Sequence, residues 1–126
     1  MLKQKNTRKQ GDVGIGVAIG HFVQLGYTVS IPLTDNQEYD LIIDEEGELK
    51  KIQCKTTRYQ RGGVYEVLLK TSGGNHTGTS MKLFDPTLID YLFVFCENGK
   101  KYLIPSCDVT SKHSMSLGKS TIKYIV

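Results

Sequence analysis

Three polar residues in the first half of the chain, Asp40, Gln53 and Lys55, are of types that together could do chemistry on a phosphate ester. Asp40 and Gln53 offer a carboxylate oxygen and an amide oxygen, which are ligands suited to Mg²⁺. A bound Mg²⁺ polarises a phosphate and lowers the pKa of an attacking water. The ammonium of Lys55 can orient that water or stabilise charge developing on the phosphate. Because Gln53 is neutral, we expect weak metal affinity in the absence of DNA.

A β-hairpin would have to bring these residues together. Two stretches with strand character are joined by a short turn, EEGE: 38–44 (EYDLIID) and 48–57 (ELKKIQCKTT). A two- or four-residue loop containing Gly47 places Asp40 opposite Gln53, and Lys55 lies on the same face as Gln53 because strand side chains alternate. A loop of odd length would instead place Asp40 opposite a neighbour of Gln53. The favoured register predicts that Asp40, Gln53 and Lys55 converge at the end of the hairpin away from its turn.

The rest of the sequence predicts a mixed α/β fold around this hairpin. Apolar residues recur at helical spacing from about Gly11 to a C-cap at Gly26, and the glycines within this helix imply close packing against a neighbouring backbone. Residues 71–80 are expected to form a polar loop, and a helical turn interrupted by Pro86 is compatible with 81–90. Further strands are expected at 27–33, at 64–70, in a hairpin over 91–105 that turns at Asn98-Gly99, and at 121–126.

The composition suits one globular domain over 1–126 with a basic N-terminal arm at 1–10. The net charge of +3 is compatible with nucleic-acid binding. Three cysteines without a CxxC pair, and no apolar leader, indicate a reduced cytoplasmic protein, and no segment has the length of a membrane span. Cys54 alternates away from Gln53 and Lys55, which predicts a core residue and not a nucleophile. The three scattered histidines argue against a zinc site.

Asp40 followed by QCK resembles the signature of PD-(D/E)xK nucleases, with Gln53 in the acidic position. Longer runs, covering about Lys9 to Pro105, resemble the group I intron-associated homing endonucleases of that superfamily, some of which carry Gln at this position. These runs are KQGDVG, LGYTVSIPLTDNQEYDLIID, KKIQCKTT, FDPTLIDYLFVF and YLIP.

The resemblance implies a restriction-endonuclease-like core, a mixed β-sheet with flanking helices. It also implies sequence-specific, Mg²⁺-dependent cleavage of double-stranded DNA, with Mn²⁺ able to substitute, and no small-molecule cofactor or membrane partner. The protein would act as a homodimer or homotetramer in the cytoplasm, associated with the nucleoid when bound to DNA. Asp40 then becomes the central metal ligand, Gln53 the second ligand position and Lys55 the catalytic lysine.

One departure from the family pattern concerns the first helix, which usually carries a Glu. This chain reads GDVGIG, with Ile15 at the position of that acid. Asp12 lies one turn earlier on roughly the same helical face, so it either reaches the metal in place of the Glu or is simply a favourable acid near the helix N-terminus.

Basic residues near the predicted site are candidates for binding the DNA backbone: Lys9, Arg58, Arg61 and Lys70. Two alternatives to the homing reading stay open. One is a junction-resolving or other PD-(D/E)xK nuclease, although such enzymes usually keep an acid where Gln53 stands. The other is a DNA-binding variant with impaired catalysis, which Ile15 and Gln53 together would explain.

Overall fold

A computed structural model describes residues 2–3, 5–75 and 78–126, together with their side chains except at 72–80. Within this part of the chain the backbone forms one α-helix, ten β-strands and three short 3-10 turns. The helix, α1, spans Thr7–Gln24. The strands are β1 Thr28–Ser30, β2 Leu41–Glu45, β3 Glu48–Thr57, β4 Gln60–Arg61, β5 Val64–Leu68, β6 Thr71–Asn75, β7 Gly78–Lys82, β8 Tyr91–Cys96, β9 Lys101–Pro105 and β10 Ser114–Ser116. The 3-10 turns are Pro86–Leu88, Ser106–Asp108 and Lys119–Tyr124.

The helix α1 begins before its predicted start near Gly11 because Asn6 caps it. The Asn6 side-chain oxygen accepts hydrogen bonds from the main-chain N–H groups of Arg8, at 3.0 Å, and Lys9, at 3.2 Å. These bonds satisfy two of the donors that a helix N-terminus leaves free. The end of the predicted basic arm is therefore the first turn of the helix. Among the described residues, no helix has the length and apolar character needed to cross a membrane.

The glycines of α1 play different roles. Gly26, at φ +89°, follows the last helical turn, as predicted for a C-cap. Gly14 packs against β3 so closely that a Cβ atom there would lie 2.5 Å from Thr56 Cγ2, whereas nothing lies within 4 Å of the same position at Gly16 or Gly20. The predicted close approach of the helix glycines to a neighbouring backbone is therefore found at Gly14 and not at Gly16 or Gly20.

Five strands form the central sheet, in the order β1-β2-β3-β8-β9. β3 and β8 are parallel, and the other neighbouring pairs are antiparallel. This mixed sheet with a packed helix confirms the predicted α/β class. β1 lies at an edge, as Pro32 indicated, but it is shorter than the predicted 27–33, because proline cannot donate a hydrogen bond to the ladder. The remaining strands form a small sheet, β10-β5-β4, and a separate hairpin, β6-β7.

The hairpin of β2 and β3 has the predicted register. Its turn consists of Glu46, at φ 53°, and Gly47, at φ 88°, which is a two-residue connection of the kind that favours glycine. Leu41 then pairs with Ile52 at the far end of the ladder. The second predicted hairpin, β8 to β9, also turns at Asn98-Gly99, where Gly99 has φ 89°.

The central sheet is covered on both faces, and β8 contributes to both hydrophobic clusters. Phe93 and Phe95 pack on the side of α1 with Phe22, while Leu92 and Val94 pack on the opposite side. A strand with two buried faces reads as a continuous apolar run, as YLFVFC does. The two faces matter for the site because α1 occupies one of them.

Two predicted elements are corrected by the structure. Residues 71–80, expected to be a loop, lie largely in the hairpin of β6 and β7, in which Thr71 pairs with Lys82; of this segment, His76 and Thr77 lie outside the described residues. The polar, glycine-rich composition of this segment suggested a loop. A hairpin can nevertheless form there, because its two strands pair through main-chain hydrogen bonds that need no apolar side chains.

The predicted strand at 121–126 is mostly a 3-10 turn with one isolated bridge between Tyr102 and Ile125. Thr121 favours the turn, because its hydroxyl donates to the carbonyl of Gly118 at 2.9 Å. The helical turn considered for 81–90 is the 3-10 turn Pro86–Leu88.

Candidate active site

Asp40 lies immediately before β2 and continues the hairpin by its side chain. Its main-chain N–H donates to the carbonyl of Ile52 at 2.8 Å, and its carboxylate Oδ2 accepts the main-chain N–H of Cys54 at 2.7 Å. The regular main-chain pairing of β2 with β3 extends only as far as the neighbouring pair, Leu41 with Ile52. The carboxylate therefore takes the place of a main-chain acceptor and is fixed beside the strand that carries Gln53.

Gln53 and Lys55 point to the face of the sheet away from α1. In the parallel pairing of β3 with β8 they stand beside Leu92 and Val94, whose side chains belong to the cluster on that face. Cys54 alternates to the other face and packs among the residues beneath α1. Burial raises the pKa of the Cys54 thiol, and a protonated thiol is a poor nucleophile. The position of Cys54 therefore supports its predicted role in the core.

Asp40, Gln53 and Lys55 line one cavity of about 310 Å³. The loop before Asp40 contributes Glu38 to the same cavity. The β6-β7 hairpin closes another side of it with its paired terminal residues, Thr71 and Lys82. The predicted convergence of the three residues is thus present in the fold, whereas their chemical roles stay predictions.

The electrostatics of the cavity oppose the charged forms of both ionisable residues. Burial raises the pKa of Asp40, although the N–H of Cys54 and the charge of Lys55 act in the opposite direction. Burial likewise lowers the pKa of Lys55, against the attraction of Asp40 and Glu38. Within the described residues, Lys55 has no carboxylate within 4.0 Å. The cavity therefore destabilises the isolated charges of Asp40 and Lys55, and a bound ligand of opposite charge would stabilise either of them.

The donor atoms of the cavity fit a hard divalent cation. The Gln53 Oε1 atom is buried and has no hydrogen-bond partner in the described structure, which is a costly arrangement for an amide oxygen unless a ligand completes it. Asp40 supplies an anionic oxygen beside it, and oxygen donors are those that Mg²⁺ and Mn²⁺ accept. Among the described residues, no group of three or more His, Cys, Asp and Glu side chains is arranged to hold a metal. The candidate oxygen donors named by the sequence are thus the Asp40 carboxylate and the Gln53 amide.

Asp12 does not enter this cavity. The α1 residues that face the sheet include Gly14 and Ala18, and successive helical residues are rotated by about 100°, so Asp12 projects away from the sheet. It is exposed, and α1 covers the face opposite to Gln53. Ile15, at the position of the expected acid, is half-buried against the cluster beneath the helix. The predicted catalytic role of Asp12 has no support from its position.

The predicted DNA-binding residues fall in different places. Arg58 and Arg61 line a second cavity that also includes the start of α1, and both are near acids: Arg58 pairs with Glu97 at 3.0 Å, and Arg61 is 3.5 Å from Glu66. Lys9 is exposed in the first turn of α1, and Lys70 is half-buried directly before β6. Their contact with DNA stays a prediction.

Sequence reasoning missed Glu38, Thr71 and Lys82 as cavity residues. Glu38 carried a usable signal, because it lies two residues before Asp40, and alternating residues of an extended chain share a face. Thr71 and Lys82 carried none, since their placement depends on the unpredicted hairpin of β6 and β7.

Comparison with known proteins identifies the class to which this fold and site belong. The chain belongs to the PD-(D/E)XK endonuclease family, which it matches over residues 5–121. Nucleases of this family generally use divalent metals. Among solved structures, the chain is similar to a bacterial homing endonuclease, I-Ssp6803I, at 23% sequence identity and a TM-score of 0.82, over 95% of this chain and 88% of the other. Among curated proteins, none matches the sequence. Family membership supports nuclease activity, and the structural likeness confirms the restriction-endonuclease-like fold.

Proposed function

We propose that the protein is a sequence-specific, Mg²⁺-dependent endonuclease of the intron-homing type that hydrolyses double-stranded DNA, with Mn²⁺ able to replace Mg²⁺. One observation carries the proposal: the buried, unpartnered Gln53 Oε1 lies in the same cavity as Asp40 and Lys55, in a chain of a nuclease family. The homing type is supported by the fold shared with a protein described as a homing endonuclease.

Each residue of the trio has a distinct task in this proposal. Asp40 and Gln53 would hold the metal, whose chemistry would be to polarise the scissile phosphate and to lower the pKa of the attacking water. The hydrogen bond from the Cys54 N–H keeps the Asp40 carboxylate in place. Lys55 positions the attacking water and, as an ammonium, stabilises negative charge that builds up on the phosphate, with little solvent to screen it.

DNA binding and assembly are further parts of the proposal. Lys9, Arg58, Arg61 and Lys70 contact the DNA backbone and so contribute affinity without reading bases. A specific DNA interface buries about 1,000–2,500 Å² of protein surface, so a chain of this size covers a limited length of duplex. A homodimer or homotetramer, which would place an active site on each strand, extends that length. Light scattering with DNA present would contradict this part by reporting a monomer. The site of action would be the cytoplasm, on the nucleoid.

The experiment that tests the proposal is cleavage of a library of random duplexes by the full chain, with Mg²⁺ or with EDTA, followed by sequencing of the ends. The expected result is cutting at one recurring sequence, with both strands broken, in Mg²⁺ only. Cutting without sequence preference, or equal cutting in EDTA, would contradict it.

Two alternatives are distinguished by adding a four-way junction substrate and a filter-binding assay to this experiment. A junction-resolving nuclease would cut four-way junctions in preference to linear duplex. A catalytically impaired DNA-binding protein would retain duplexes on a filter and cut none. The neutral Gln53 motivates the second alternative, because a conventional site would carry a second acid there.

A further inference from the structure

The cavity around Asp40 lacks negative charge for a divalent cation. Asp40 and Lys55 cancel formally and Gln53 is neutral, so the three proposed residues sum to no net charge. The helix α1 adds no negative charge to the cavity, because Ile15 is apolar and Asp12 projects away from the sheet. A buried dication without compensating charge is strongly disfavoured. Before DNA brings a phosphate, the metal site of the proposed function therefore needs another anion from this chain.

Glu38 is placed to supply it. Its side chain lines the same cavity as Asp40 and Gln53. Its side chain is only 33% exposed, and its ion pair with Lys82, another residue of the cavity wall, holds the carboxylate there. Asp35, the other acid at this cavity, is exposed in the loop.

We propose that Glu38 is the second carboxylate ligand of the metal, replacing the acid that this chain lacks at Gln53 and at Ile15. The inference rests on the proposed metal-dependent function and specifies which residue completes its site. Glu38 and Asp40 then provide two anionic oxygens, and Gln53 provides a neutral one. The site becomes net negative before metal binding only when Glu38 turns towards Asp40.

The ion pair between Glu38 and Lys82 controls when Glu38 turns towards Asp40. The Glu38 Oε1 atom lies 3.2 Å from Lys82 Nζ, and the Lys82 side chain is 61% exposed. An ion pair this exposed is weak because solvent screens it, so a divalent cation can displace Lys82 into solvent. Lys82 therefore competes with the metal for Glu38 and holds the carboxylate at the cavity until the metal binds.

The test is Mn²⁺ binding by the full chain without DNA, measured by the electron paramagnetic resonance signal of free Mn²⁺. We expect Glu38→Gln to weaken binding by about 10-fold or more, as removal of metal-site partners typically does. We expect Lys82→Met to strengthen binding by about 2- to 5-fold, the equivalent of a surface ion pair. Asp35→Asn removes the same charge from the same cavity and should change affinity by less than about 2-fold.

The opposite changes in Mn²⁺ affinity expected for Glu38→Gln and Lys82→Met distinguish a metal ligand from a residue with a purely structural role. If Glu38 only anchored the β6-β7 hairpin through Lys82, both variants would weaken binding together, and that result would overturn the inference. Unchanged binding by Glu38→Gln, or an equal loss in Asp35→Asn or Asp12→Asn, would also overturn it. Thermal melts of each variant in EDTA show whether a loss reflects unfolding, and Glu38→Asp should recover part of the affinity if the carboxylate is the ligand.

Failure of the proposed function has a different signature. Wild-type protein that binds no Mn²⁺ without DNA would overturn the role of Glu38, since that role is to complete the site before DNA binds. Mn²⁺ binding, with or without the selected duplex, that survives Asp40→Asn would remove the metal site of the proposed function. Binding that depends on Asp40 and is indifferent to Glu38 would leave the proposed function intact and remove only the role of Glu38.

Discussion

Asp40 is held in the cavity at a cost in stability. Its carboxylate is buried beside β3 and accepts one main-chain hydrogen bond, from Cys54, yet burial still dominates and raises its pKa. Such a carboxylate is more stable when a cation neutralises it, which is what a metal ligand requires.

The pKa of Asp40 predicts the effect of Asp40→Asn on stability in EDTA. Because the pKa is higher in the folded state, ionisation of Asp40 disfavours folding, and the wild type loses stability relative to Asp40→Asn as pH rises through that pKa. The amide oxygen can still accept the N–H of Cys54. At pH 7 the variant should be more stable by about 1.4 kcal/mol for each unit by which the pKa is raised. Below the unfolded-state pKa the difference should vanish. Urea unfolding of both proteins between pH 4 and pH 8 measures it, and a variant that is no more stable than wild type at pH 7 would contradict the prediction.

The burial of the cysteines predicts which thiols react in the native protein. Burial raises the pKa of Cys54, and it raises that of Cys96 to about 11, while Cys107 is exposed. Thiolates are the reactive species, so native protein at pH 8 should react rapidly with Ellman's reagent at Cys107 alone. Cys54 and Cys96 should react after urea is added. Rapid modification of Cys54 in native protein, identified by peptide mapping, would contradict its place in the core.

At the scale of elements, the sequence predicted local structure better than distant pairing. The bounds of β3 and the turn at Gly47 follow from alternation and from a glycine in a two-residue loop, both local properties. The parallel pairing of β3 with β8 was not predicted, because it joins segments far apart in the chain and leaves no periodic signal. The β6-β7 hairpin was missed because its composition is that of a loop.

The contact between α1 and β3 predicts opposite effects for two glycines of one helix. A Cβ at Gly14 would overlap Thr56 Cγ2, so Gly14→Ala should destabilise the protein by about 1–3 kcal/mol. Gly16 has open space around it, so Gly16→Ala should stabilise by up to about 1 kcal/mol through helix propensity. Chemical denaturation of the two variants provides the comparison.

A double variant checks that this overlap is the cause. Thr56→Ser removes Cγ2 and keeps the hydroxyl that accepts the Gln10 side-chain amide at 3.1 Å. Gly14→Ala combined with Thr56→Ser should therefore recover much of the lost stability. Equal destabilisation with Thr or Ser at position 56 would show that the helix does not pack against β3 as described.

At the scale of the whole molecule, the central sheet separates two tasks. The face beneath α1 is a hydrophobic core, and the opposite face carries Gln53 and Lys55 towards the cavity. The sequence predicted the convergence of Asp40, Gln53 and Lys55 because one hairpin connects them. It could not predict Lys82, which reaches the cavity through tertiary packing of a separate hairpin, nor could it place Asp12, whose direction depends on which helical face meets the sheet.

In the proposed function, DNA cleavage at this cavity depends on Lys55. The most direct measurement is the single-turnover rate of cleavage in Mg²⁺ of the duplex selected from the random library, for wild type, Lys55→Met and Lys51→Met. Lys51 is an exposed lysine of the same strand and serves as the matched control. DNA affinity is measured in parallel without Mg²⁺, and melts establish that the variants fold.

We expect Lys55→Met to lower the cleavage rate by about 10²- to 10³-fold and to bind DNA with an affinity close to that of wild type. We expect Lys51→Met to cleave at the wild-type rate. Cleavage by folded Lys55→Met as fast as by wild type would contradict the role of Lys55.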